Sequence, residues 1–232
     1  MSTDTLYRWI LGSVFLSLGF SLQASSLTIG EPPLVATGNC DPFGCPVFFG
    51  LGTYQQVYAS SAFAGESTIT GLTFYNTQVT DGGNPAAGAY DLSLSYSNHN
   101  PGDLDITNPN DNISSDSQSF FSGSLPPVFQ NTLDFMGTPF DYNPADGNLL
   151  LTITVTDASD RLPTLYLDEA SQTTQTSDAY FGTVNGGNTT GGLVTGFTVV
   201  SGVVATPEPG SLLFMLGGIS LIAYRRRRHR LL

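Results

Sequence analysis

The sequence predicts an all-β fold: an antiparallel β-sandwich or jelly-roll-like ectodomain, flanked by an N-terminal signal helix and a single C-terminal transmembrane helix. Three observations predict it. Short segments alternate apolar and polar residues at every step, which buries one face of a strand and wets the other. Clusters of Gly, Asn, Asp, Pro and Ser separate those segments and supply turn chemistry. The middle of the chain nowhere sustains a 3.6-residue apolar period, and many short strands with regular turn signals suit a sandwich or jelly roll.

The first element is residues 1–24. A polar start ends in Arg8, an apolar stretch runs from Trp9 to Phe20, and small residues follow at Ala24, Ser25 and Ser26. This is the layout of a secretory signal, with cleavage after Ala24 or Ser26. The stretch is short of the roughly 20 residues a spanning helix needs. Residues 25–205 form the ectodomain. Tyr90–Tyr96 and Leu149–Thr156 alternate cleanly, with Leu149, Leu151, Ile153 and Val155 on one face. Phe197, Val199 and Val203 give a similar face to a strand from Thr195 to Val204. Ser67–Tyr75 is β-rich, but its phase slips at Gly71. Ile69 and the pair Leu72/Phe74 share a face only if a bulge or twist lies there. Thr53–Ala59, Leu165–Leu167 and Ala179–Val184 are shorter strand candidates. Asp81–Pro85, Asn98–Asn112, Pro144–Asn148 and Asn185–Gly192 read as turns or loops, and Asp157/Asp160 and Asp168/Glu169 as strand-end turn residues.

Charge excludes whole classes of function. The 232 residues contain 7 Arg, no Lys and 19 acids. From Ser25 to Thr206 one Arg, Arg161, stands against 17 acids. Nucleic-acid binding needs clustered cations to neutralise phosphates, so it is excluded. A Walker-type phosphate loop is excluded by the missing Lys.

Residues 206–232 carry three parts in order: Pro207-Glu208-Pro209, an apolar span over about 210–224, and the cations Arg225, Arg226, Arg227, Arg228 and Arg230. Fifteen helical residues reach about 22 Å, short of a ~30 Å hydrocarbon core. Snorkelling Arg side chains and local thinning absorb the difference. The Arg block is expected to stay cytoplasmic by the positive-inside rule, which puts the acidic domain outside, as the signal does. This tail resembles the PEP-CTERM sorting signal of Gram-negative bacteria. The resemblance implies transient processing by exosortase near the Pro-Glu-Pro motif. The protein would be membrane-anchored through its C-terminal helix before processing, then moved to the cell surface or extracellular matrix.

The ectodomain has a likeness of its own. Tyr54-Gln-Gln-Val-Tyr58, Ile69–Phe74, Leu92–Ser95, Phe121–Gly123 and Pro139–Pro144 running into Gly147–Leu151 occur in that order. They resemble a recurrent ectodomain type of PEP-CTERM proteins whose function is uncharacterised. The resemblance supports a β-sandwich and transfers no catalytic residue.

Candidate chemistry is sparse. Export makes a structural disulfide the expectation for Cys40 and Cys45. A metal site would need two more ligands, and His99 is the single ectodomain His. His99 lies in a loop without a G-x-S-x-G elbow, so a solvated His is expected. Asp103, Asp105 and Asp111 in the polar stretch Asn98–Asp116 offer hard oxygen ligands for Ca²⁺, though EF-hand spacing is missing. No pair of acids stands out for glycoside hydrolysis. The expectation is an exported, non-enzymatic cell-surface or extracellular-matrix protein, associated with exopolysaccharide or biofilm. A carbohydrate-binding, adhesin-like module is the alternative, recognisable by exposed aromatic rows. A secreted hydrolase would show a cleft with convergent acids of perturbed pKa.

Overall fold

The computed structural model describes residues 23–31, 33–45, 52–77, 88–125, 131–158, 165–170, 174–182, 186–188 and 191–201. The chain divides into two compact units, Ala24–Ser201 and a second comprising Met1–Gln23 with Gly202–Leu232. Apart from Gln23, the second unit lies outside the described residues. The signal segment, the Pro207-Glu208-Pro209 motif, the 210–224 span and the Arg-rich end all fall there. Among the described residues no helix is long and apolar enough to cross a membrane.

The described residues are all-β, with antiparallel sheets that pack as in a β-sandwich. The strands are β1 (Gln23–Ile29), β2 (Pro33–Asn39), β3 (Thr53–Tyr58), β4 (Ser67–Tyr75), β5 (Gly88–Ser97) and β6 (Gln118–Ser124). They continue with β7 (Thr132–Tyr142), β8 (Asn148–Ala158), β9 (Leu167–Ala170), β10 (Thr176–Phe181), β11 (Gly186–Asn188) and β12 (Thr195–Ser201). A four-stranded sheet has the order β1-β12-β4-β7, and a six-stranded sheet the order β11-β10-β3-β8-β5-β6. A two-stranded ribbon pairs β2 with β9.

Period-two patterning fixes which face each strand buries. In β8 Leu149, Leu151, Ile153 and Val155 enter the core, and in β5 Tyr90, Leu92 and Leu94 do the same. Rings join the two large sheets. Tyr58 meets Phe197 edge-on at 5.0 Å, and Phe121 meets Phe135 at 5.1 Å. In β4 the phase slip is resolved as the sequence requires. The register against β7 shifts between Ile69 and Gly71, and that against β12 shifts between Thr198 and Val199. The extra residue, Thr70, lets Ile69, Leu72 and Phe74 all become buried.

Two readings are corrected. Gly186–Asn188, expected in a turn, pairs with β10 as an edge strand. Asp168 and Glu169, expected at a strand end, lie inside β9. Asp168 is buried there because Thr77 supplies partners. Its backbone N–H donates to Oδ1 at 2.9 Å and its hydroxyl to Oδ2 at 2.6 Å.

Candidate functional site

The site begins with the run Cys40-Asp-Pro-Phe-Gly-Cys45 between β2 and β3. A disulfide joins Cys40 and Cys45, with their Cα atoms 5.1 Å apart. Cys45 N–H closes the turn on Cys40 O at 2.9 Å. The hook turns Phe43 fully into the core, where its ring lies 5.3 Å from Phe74 and 5.5 Å from Tyr90. Gly44 is required, because a Cβ there would collide with the Leu165 carbonyl oxygen.

The same hook sets Asp41 beside Asp178 of β10. The two flank an open cavity of about 320 Å³ whose lining also includes Asn39, Glu169 and Tyr180. Asn39 Nδ2 donates to Asp178 Oδ2 at 3.1 Å. Asp41 Oδ1 is buried with no hydrogen-bond partner among the described residues. Burial, and secondarily the neighbouring Asp178 carboxylate, pushes Asp41 up to about 7. A carboxylate in such a place favours its neutral form, because desolvation and like charge act in the same direction.

Beneath this cavity lies a polar network on β3. Tyr54, Gln56 and Tyr58 share the inner face of the strand. The buried Gln56 makes four hydrogen bonds. Its Nε2 donates to Thr176 Oγ1 and to Leu193 O, each at 2.8 Å. Its Oε1 accepts from Tyr54 OH at 2.7 Å and from Leu193 N at 2.9 Å. Gly192, at φ +141°, lets the chain pass against this carboxamide; a Cβ there would sit 2.9 Å from Gln56 Cδ. Burial, then the Asp178 charge, raises the Tyr54 hydroxyl well above its ordinary value, so it remains a proton donor.

Gln55 points to the opposite face of β3 and fixes the loop 98–116. Its Nε2 donates to Pro109 O at 3.0 Å, and its Oε1 accepts from Asn112 Nδ2 at 2.8 Å. Gly102 N–H donates to Ser177 Oγ at 2.7 Å, and Asn148 Nδ2 to His99 O at 2.8 Å. The polar loop thus covers the outer face of β10, β3 and β8. His99 is a bracket inside it: Nε2 lies 3.2 Å from Asp111 O, and Nδ1 contacts Asp103 O.

The acids proposed as calcium ligands do not converge. Asp103 is largely exposed. Asp105 Oδ1 accepts from Thr107 N and Thr107 Oγ1, each at 2.6 Å, and from Asn108 N at 3.0 Å. The Thr107 hydroxyl first, then the backbone N–H groups, hold Asp105 below its ordinary value. Among the described residues no three His, Cys, Asp or Glu side chains gather to hold a metal ion. The Asp105 carboxylate and the backbone oxygens of Asp103 and Asp111 hold the loop together.

Sequence reasoning missed Asp41, Asp178, Gln55, Gln56 and Thr176. The one signal available was Gln56 itself, a polar residue in phase with two core tyrosines. No known family, curated protein or solved structure matches the chain.

Proposed function

We propose that the chain is an exported surface or extracellular-matrix protein without enzymatic activity, delivered by its C-terminal sorting signal. The observation that carries the reading is the ordered tail: Pro207-Glu208-Pro209, the apolar 210–224 span and Arg225–Arg228. An exosortase would act on it transiently, and an extracellular polysaccharide would be the surrounding matrix. The ectodomain is suited to such display. It is acidic, which opposes self-association, and its disulfide suits an oxidising compartment. The carbohydrate-binding alternative gains little support from stacking surfaces. Among the described residues the exposed large apolar side chains are Ile106, Met136 and Tyr166, one aromatic and no row.

The test is the intact mass of protein recovered from the surface of an exosortase-bearing Gram-negative host. Loss of the N-terminal signal and of everything beyond about Pro209 supports the reading. A tail still ending in Leu232, recovered only with membranes, overturns it.

A second reading, a secreted hydrolase, is favoured by one observation. Asp41 and Asp178 flank an open cavity, and Asp41 is held near neutrality. A carboxyl that still carries its proton part of the time near neutral pH, beside a second carboxyl, is the pairing that acid–base hydrolysis uses. Release of reducing sugar from the host's exopolysaccharide by the exported protein, abolished in Asp41→Asn, would establish this reading. Equal inactivity of both proteins would remove it.

A further inference from the structure

The polar network on the inner faces of β3 and β10 brings a nucleophile, an electrophile and their supporting groups together in a dry interior. Tyr54, Gln56 and Thr176 are essentially unexposed, and Asp178 is nearly so. Thr176 Oγ1 lies 2.8 Å from Gln56 Nε2, one covalent bond from the carboxamide carbon. The carboxamide oxygen is held by two donors, Tyr54 OH at 2.7 Å and Leu193 N–H at 2.9 Å. Paired donors on a carbonyl oxygen stabilise the charge that develops when a nucleophile adds to its carbon, and they act most strongly where water is excluded. Asp178 is the cross-strand partner of Gln56. It lies two residues from Thr176 on the same face of β10, so a carboxylate adjoins the reacting pair.

We propose that Thr176 and Gln56 join as an intramolecular ester that staples β10 to β3. A bond forms between Thr176 Oγ1 and Gln56 Cδ, and the Cδ–Nε2 bond breaks. The hydroxyl proton, donated to Val57 O at 2.8 Å before reaction, passes to Nε2, and one ammonia leaves. No oxidant, metal or co-substrate is consumed, so the atoms and electrons balance within the chain. Holding the two groups in contact removes the entropic cost that makes such an acyl transfer slow between free molecules.

The chain's composition selects this chemistry. It has no Lys, so an amine-derived isopeptide staple cannot form, and a hydroxyl is the nucleophile available to attack a carboxamide. The disulfide closes a sequence separation of only 5 and constrains little of the chain. An ester between positions 56 and 176 would close a loop containing β4 to β9. This inference is independent of the sorting reading.

Peptide mapping by mass spectrometry of the full-length chain decides the question, because it is insensitive to processing at either end. The expected result is a cross-linked pair, one peptide from β3 and one from β10, lighter than their sum by one ammonia. Alkaline hydroxylamine is expected to separate them. Thr176→Ser keeps the hydroxyl and is expected to stay linked; Thr176→Val is expected to yield separate peptides. Recovery of wild-type β3 and β10 peptides separately, with Gln56 intact as the amide, overturns the proposal even if Thr176→Val fails to fold.

Discussion

The ring of Phe43 stacks on that of Phe135, with centroids 5.6 Å apart and planes inclined by 26°. Phe43 belongs to a disulfide-closed hook outside both large sheets, yet it packs between Tyr90 of one and Phe74 and Phe135 of the other. The sandwich is thereby closed by a loop residue. The hook thus contributes both a fully buried ring and a covalent closure.

Phe43→Ala is therefore expected to cost about 3–5 kcal/mol, the range for a fully buried Phe whose site collapses incompletely. Removing both Cys40 and Cys45 as serines should cost about 2 kcal/mol or less, because so short a loop restricts the unfolded chain little. Urea unfolding of the two variants ranks them. The opposite ranking would make the disulfide, not the ring, the dominant element.

Asp41 gives the unit Ala24–Ser201 a pH dependence of unusual sign. Its value rises from 3.8 to about 7 on folding, so between those values the folded state holds a proton that the unfolded state releases. Stability from this group is then fully present below about pH 4, falls as pH rises toward 7, and is lost above. Asp41→Asn keeps the neutral form. It is expected to flatten the slope between pH 4 and 7 and to gain on the order of 2 kcal/mol at pH 8. Thermal unfolding at pH 5 and pH 8 measures both effects. A wild-type Tm that climbs across this window would refute the assignment.

Gln55 and Asn112 are both buried and donate or accept across the seam between β3 and the loop 98–116. Gln55→Leu leaves Asn112 Nδ2 with Asp105 O alone and Pro109 O without its donor. A loss of about 1–3 kcal/mol is expected for such unsatisfied groups. Amide exchange should quicken in residues 102–114 while the β8 core stays protected. The double variant with Asn112→Leu should cost less than the sum of the two singles, because the pair is one interaction.

The legible parts of this fold were those with local causes. Leu149, Leu151, Ile153 and Val155 announced β8 by alternation, and Gly71 announced a bulge through the broken phase around it. β7 was missed because Gly137 and Pro139 interrupt its pattern; it is held by its long pairing with β4, a tertiary cause. β2 was missed because its partner β9 lies far along the chain. The cavity was illegible for the same reason. Asp41 reads as a turn residue and Asp178 as a polar strand residue, and only the pairing of β10 with β3, together with the hook, sets them side by side. Gln56 was half legible, since its phase with Tyr54 and Tyr58 marks it as inward-facing but names no partner.

Asp105 decides how the loop responds to metal and to acid. Its Oδ1 takes two backbone N–H groups and the Thr107 hydroxyl, so a cation there would have to displace donors already in place. Chelation with EDTA is expected to leave the Tm unchanged, and millimolar Ca²⁺ to add nothing; a rise of several degrees with Ca²⁺ would establish a calcium site. Acid acts in the opposite sense to its effect at Asp41. Asp105 is held below its ordinary value on folding, so its support is present above about pH 4 and is lost as pH falls through the lowered value. Asp105→Ala should remove exchange protection at the Thr107 and Asn108 amides at neutral pH. In the wild type the same two amides should lose protection only under acid conditions, below the window in which Asp41 titrates.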